Sequence, residues 1–194
     1  MRLIVLLCLV LTCMGVVVAH NADNHPKSMA SLELLSGLPF EIGWVSQVIA
    51  FDDGLERSAQ MIYGEVQRPA VRDAVWDVVE SSRAQAKLLK DWLKRSNNAV
   101  PDAAQMASAT SDLRDILNSI TGRTVPNHDM NMSGDADRAF LRGMIVADRS
   151  ALALAQIAAS QGSAKAELRA AGKEFADAST QRIKRWTAML ETLR

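Results

Sequence analysis

From Pro39 onward, apolar positions recur at helical spacing. Trp44, Val48, Phe51, Leu55, Ser58/Ala59 and Ile62 trace one stripe, as expected of a helix face turned toward a core. Gly64 and Pro69 bracket its end, and Pro69 suits the first turn of a following helix. There Val71, Val75, Val78/Val79, Leu88/Leu89 and Trp92/Leu93 predict a second long helix to about Arg95, broken by Ser96-Asn97-Asn98 and Pro101. Asp102 is placed to cap a third helix that carries Ile116, Leu117 and Ile120 near its end and stops at Gly122. Asp135 can cap a fourth helix through Phe140, Met144, Ala151, Ala155 and Ala158. Gly162 and Ser163 make a stop and a fresh cap, and the last helix carries Leu168, Phe175, Ile183, Trp186 and Leu190. A shorter helix near Ser28–Leu35 precedes them all. No useful stretch alternates with period two, so the pattern predicts an all-α chain. Small residues through Ala151–Ala159 let helix axes approach closely.

The N-terminus follows a different pattern. Arg2 is followed by an apolar run from Leu3 to Ala19, with no further charge before Asp23. A charged start, an apolar middle and small residues at Val17 and Ala19 describe a secretory signal cleaved after Ala19. An uncleaved anchor and a lipid-modified Cys13 are the competing readings. The run sits at the short limit for spanning a bilayer. Cleavage implies a periplasmic or secreted protein, and it removes both cysteines, Cys8 and Cys13. The mature chain then has no disulfide and no thiolate nucleophile. The expected organisation is a signal over 1–19, a polar leader over 20–38 and a helical domain over 39–194.

Lys plus Arg and Asp plus Glu both total 22 among 194 residues. Such a balance supplies no field for a phosphate backbone or an acidic bilayer. The reading is therefore no nucleic acid, and no membrane after cleavage. A hydrophobic content of 48% excludes a disordered chain.

The chain also repeats itself. Shifting Trp44–Met61 by 96 residues lays it on Phe140–Ile157: Ile49 meets Ile145, Asp52 meets Asp148, Ala59 meets Ala155 and Gln60 meets Gln156. Glu41 meets Asp137, and with a shift of 97 Trp92-Leu93 meets Met189-Leu190. Two helical hairpins follow: repeat one over 39–97, a connecting segment with an extra helix over 98–134, and repeat two over 135–194.

Asp137-Arg-Ala-Phe140-Leu141, then Met144-Ile145, then Ala151-Leu-Ala-Leu-Ala155, resembles domain-of-unknown-function family 305. Its pattern runs Asp-x-x-Phe, Met-Ile-x-His-His and Ala-Ile-x-Met-Ala, with a second helix that carries Gln and Glu and ends in Trp-Leu. Repeat one matches more loosely, through Glu41, Trp44, Val48-Ile49, Leu55, Ala59 and Trp92-Leu93. The resemblance implies an exported, ferritin-like four-helix bundle, often associated with copper or other metals. The chain departs from it at the ligands. The paired histidines fall on Phe51-Asp52 and Ala147-Asp148, the Gln on Ser82 and Ser179, and the Glu on Gln85 and Arg182. Phe and Ala offer no lone pair, so the family's metal site does not carry over intact.

Three candidate sites remain. Asp52 and Asp148 occupy equivalent places, and across the bundle they can meet around a hard cation. Glu41 and Asp137 each precede their partner by 11 residues, roughly 16 Å of helix axis, too far to share one ion. Against this stands a structural reading: Asp137 favoured by the dipole of its own helix, and Asp148 paired on a wet surface with Arg149 or Arg142. Second, His128, Met130 and Met132 alternate in a loop and form a soft donor set suited to Cu(I). Third, an N-terminal His20 with His25 can chelate Cu(II). No residues imply another cofactor. There is no Glu-x-x-His pair for a di-iron centre, and no base accompanies Ser81, Ser82 or Ser179. The expectation is a non-catalytic binding or scaffold protein, with a copper-binding protein as the alternative. Its partner is a protein or a metal ion.

Overall fold

The computed structural model describes residues 27–121 and 136–193. They form six helices: α1 (Lys27–Glu33), α2 (Gly37–Ile62), α3 (Pro69–Asn97), α4 (Ala103–Thr121), α5 (Ala136–Ser160) and α6 (Ala166–Thr192). No strand occurs among the described residues, and the chain is all-α there. The breakers act where the sequence places them. Pro69 is the first residue of α3, where its missing amide hydrogen costs nothing. Asn98 ends α3 in the left-handed region at φ 47°, its amide donating back to the Leu93 and Lys94 carbonyls. Asp102 Oδ1 accepts the Gln105 amide at 2.9 Å and caps α4. Ser163, expected to cap α6, does not: the cap position is Lys165, and Ser163 Oγ accepts the amide of Gly37 at 3.0 Å.

Helices α2 and α3 pack along one another as a hairpin, as do α5 and α6. Helix α4 lies across α2 and α5, and α1 rests on α4 and α2. Helix α2 is therefore covered on most sides. Phe40, Glu41 and every residue from Gly43 to Asp52 are buried, more than the one-sided stripe of the sequence requires. Its buried polar side chains tie neighbouring elements down. Ser46 Oγ accepts the Asp102 amide at 2.7 Å, and Gln47 Nε2 donates to the Ser28 carbonyl and to Gln105 Oε1, both at 2.7 Å. Trp44 Nε1 donates to the Leu154 carbonyl at 2.7 Å and links the two hairpins through the core.

The α5–α6 contact depends on small residues. A Cβ on Gly172 would stand 2.8 Å from Ala159 N, 2.9 Å from the Ala155 carbonyl oxygen and 2.9 Å from Ala158 Cβ. Only a bare backbone fits at that distance.

Candidate functional site

Asp148 lies in the middle of α5 and is fully buried. Arg182, on α6, donates to its Oδ1 from Nε at 2.8 Å, and its Nη2 stands 2.7 Å from the same oxygen as an ion pair. Trp186, one turn further along α6, donates from Nε1 to Oδ2 at 2.6 Å. Ser179 Oγ accepts from Arg182 Nη2 at 3.1 Å, and the guanidinium carbon sits 5.9 Å from the centre of the Phe175 ring. Both oxygens of Asp148 are thus held by donors from α6. The local partners weighed from sequence, Arg149 and Arg142, are not the ones used, and the surroundings are dry rather than wet.

Asp52, the counterpart of Asp148 in the first hairpin, is also buried, and its Oδ2 accepts no hydrogen bond. Burial pushes its carboxyl well above the ordinary carboxylate range. The charge of Arg182 opposes that rise, Asp53 and Asp148 add to it, and Lys90 opposes it.

These residues do not fit a metal ion. A cation at Asp148 would need lone pairs already given to Arg182 and Trp186, and it would meet a guanidinium. Phe51 and Ala147, beside the two aspartates, supply no donor atom. Among the described residues, no group of three or more His, Cys, Asp or Glu is placed to hold a metal. His20, His25, His128, Met130 and Met132 lie outside the described residues.

Glu41 and Asp137 serve another purpose. Asp137 Oδ1 accepts the Gln67 amide at 3.0 Å, and Oδ2 accepts the Arg68 amide at 3.2 Å. Asp137 lies in the first turn of α5, yet its oxygens bind the two amides that lead into α3 in the other hairpin. Glu41 does the converse: Oε1 accepts the Lys165 amide at the start of α6 at 2.8 Å, and the Lys165 ammonium stands 3.5 Å from Oε2.

A cleft of about 350 Å³ opens between α2, α4 and α5. Leu55, Ala59, Ile62, Leu113, Leu117, Phe140 and Met144 line it, with Gly54 and Gly143 in its walls. Arg57, Arg114 and Glu65 also line it. Arg57 Nε donates to the carbonyl of Asp53 in its own helix. The nearby carboxylates pair elsewhere, Glu56 with Arg83 at 2.6 Å and Asp53 with Lys90 at 3.6 Å. The sequence did not reveal this cleft, because its walls come from three helices whose register no periodicity sets. The small residues Gly54 and Gly143 within apolar stripes are the trace it leaves.

The family model described as "Domain of unknown function (DUF305)" matches residues 41–190. The chain belongs to DUF305. The match runs from Glu41 to Leu190 and so takes in both hairpins and α4. No curated protein and no solved structure matches the chain. Within this DUF305 chain, the repeat aligns Asp148, Ser179, Arg182 and Trp186 with Asp52, Ser82, Gln85 and Leu89. The second hairpin thus holds a complete donor set around its aspartate. The first keeps the aspartate and a buried serine, Ser82, but has neither a cation nor an indole at the equivalent places.

Proposed function

We propose that this DUF305 member is an exported, non-catalytic binding protein, built as a ferritin-like four-helix bundle from two hairpins, that holds an amphipathic anion in the α2–α4–α5 cleft. The observation that carries this reading is the make-up of the cleft. Its volume of about 350 Å³ falls within the usual range of small-molecule sites, which combine an apolar wall with a few placed polar groups. The wall suits an alkyl chain. Arg57 and Arg114 make no ion pair with a described carboxylate, and together they outnumber Glu65. A guanidinium beside an apolar wall favours a carboxylate head over an ammonium one.

The test is calorimetric titration of the purified protein with dodecanoate, dodecyltrimethylammonium and acetate. Saturable binding of dodecanoate alone supports the proposal. An Arg57→Glu/Arg114→Glu variant should weaken it by about tenfold or more, the worth of one lost charge-assisted hydrogen bond. Gly143→Leu, which fills the cleft, should abolish it. Equal binding of both amphiphiles, unaffected by either variant, would overturn the reading, as would no binding at all.

A further inference from the structure

The exposed positions of α5 form one row. Arg138, Arg142, Arg149, Gln156 and Ser160 are the exposed residues of this helix. They recur at steps of four and seven, so they share a face. The half-buried Ile145 and Leu152 fall on the same row, between the arginines and Gln156. The opposite side of α5, with Phe140, Met144, Ala147, Ala151 and Leu154, is buried.

The row carries charge of one sign. The carboxylates of α5 are Asp137 and Asp148. Both are buried and are bonded to other elements, so neither offsets the arginines at the surface. Arg142 and Arg149 make no ion pair with a described residue, and Arg138 donates to the Leu193 carbonyl. The 22 cationic and 22 anionic side chains of the whole chain cancel in sum. That balance conceals a positive face on this one helix.

We propose that the outer face of α5 docks on the surface of an anionic lipid bilayer. Charge complementarity carries the assignment. A guanidinium fork matches the oxygens of a phosphate, and its stem can lie along apolar surface while the head stays in the polar layer. The alternation of arginine with Ile145 and Leu152 suits a boundary where phosphates meet acyl chains. Arg138 and Arg149 are 11 residues apart, roughly 16 Å of helix axis, so the row spans several headgroups and not one small ion. Ala139, Phe140, Gly143 and Met144, which α5 gives to the cleft, lie off this row. No described helix is long and apolar enough to cross a membrane. The contact is therefore with the bilayer surface.

The experiment is co-sedimentation of the purified protein with vesicles. One set contains equal parts of phosphatidylglycerol and phosphatidylcholine, and the other phosphatidylcholine alone. At low salt the protein should bind the first and not the second. Binding should be lost at roughly 1 M sodium chloride, where screening acts within about 3 Å. An arginine near an anionic bilayer is worth about fivefold in binding, so Arg142→Gln/Arg149→Gln should weaken it roughly 25-fold. Both positions are exposed, and an unchanged helical spectrum would show that the variant folds. Lys94→Gln/Arg95→Gln removes the same net charge from exposed positions on α3 and should leave binding near the wild-type level. No binding to the anionic vesicles would overturn the proposal, as would equal binding to both sets. Equal losses in the two double variants would also overturn it, because net charge and not the α5 row would then be responsible. Binding that survives Arg142→Gln/Arg149→Gln but is lost on Gly143→Leu would place a lipid in the cleft, and it too would overturn the docking face.

Discussion

Glu41 and Asp137, 96 residues apart in the repeat, each hold the entry to the second helix of the other's hairpin. Asp137 on α5 accepts the amides of Gln67 and Arg68 where α3 begins. Glu41 on α2 accepts the amide of Lys165 where α6 begins. Each carboxylate binds the amides of the residues that lead into the helix and lies beside its positive dipole end. The two hairpins are thereby locked in register. Asp137→Ala should cost about 1–2 kcal/mol, the scale of a lost cap. The damage should appear in the opposite hairpin. Hydrogen exchange at residues 67–71 should accelerate in Asp137→Ala, and exchange at 165–169 in Glu41→Ala. Faster exchange confined to each variant's own helix would refute the reciprocal arrangement.

The Asp148–Arg182–Trp186 network gives a second prediction. Removing one partner from a buried pair leaves the other charge unanswered, at about 3–5 kcal/mol. Asp148→Ala should therefore destabilise strongly in urea unfolding. Trp186→Phe keeps most of the ring's packing against Phe140, 6.2 Å away between centroids, and loses one hydrogen bond to a charged group. It should cost about 1.5–3 kcal/mol. A Trp186→Phe loss equal to that of Asp148→Ala would mean that ring packing, and not the carboxylate, holds this region.

These relationships were legible to different depths. The helices could be read to within a few residues at their ends, because apolar stripes and the breakers Pro69, Asn98 and Pro101 are local signals. The equivalence of Asp52 and Asp148 was legible from the repeat. The burial of Asp148 was not: a lone carboxylate reads as a surface group, although its helical face carries Met144, Ala151 and Ala155. Nor was its partner. Helical spacing places Arg182 on a face of α6 but does not say which residue of α5 that face meets. That register is set by the close approach of Gly172 to Ala155 and Ala159. Likewise, Asp137 looked like an aid to its own helix, because a cap given to another hairpin has no sequence signal.

Gly172 and Gly54 allow a comparison. A Cβ on Gly172 meets the backbone atoms Ala159 N and Ala155 O at 2.8 and 2.9 Å. A Cβ on Gly54 comes nearer still, 2.5 Å, but to Cδ2 of Leu113, the end of a side chain that can rotate away. Gly172→Ala should thus be the more damaging, by about 1–3 kcal/mol, because helices must separate to admit it. Gly54→Ala should cost less, offset in part by the gain in helix propensity of Ala over Gly. Thermal melts of the two variants decide the order.

Asp52 makes stability depend on pH. Its folded carboxyl titrates well above the ordinary value, through burial first and then the opposed charges of Arg182, Asp53, Asp148 and Lys90. The folded state therefore holds a proton that the unfolded chain has already released, and stability falls as pH rises through that window. The contribution is fully present below the unfolded value of about 3.9 and is lost as pH rises through the folded one. Asp52→Asn cannot titrate. Urea unfolding from pH 4 to pH 8 should show a shallower decline for Asp52→Asn than for wild type, and the variant should be the more stable of the two at pH 8. Parallel profiles would remove Asp52 as the source.

The same reasoning predicts a gain from copying the second hairpin into the first. Gln85 is half-buried on α3, at the place where α6 carries Arg182. Gln85→Arg offers Asp52 a counter-charge of its own, in the register that serves Asp148. Because an ion pair favours the charged carboxylate, the Asp52 titration should move down and the pH dependence should flatten. At pH 8 the variant should exceed wild type by about 1 kcal/mol, within the range of a hydrogen bond gained by a charged group. The control is Gln85→Arg in the Asp52→Asn background, where the gain should vanish. A gain that survives there would come from the surface of α3. A loss in both backgrounds would show that the two hairpins differ in register at this position, and that Arg182 answers a geometry the first hairpin lacks.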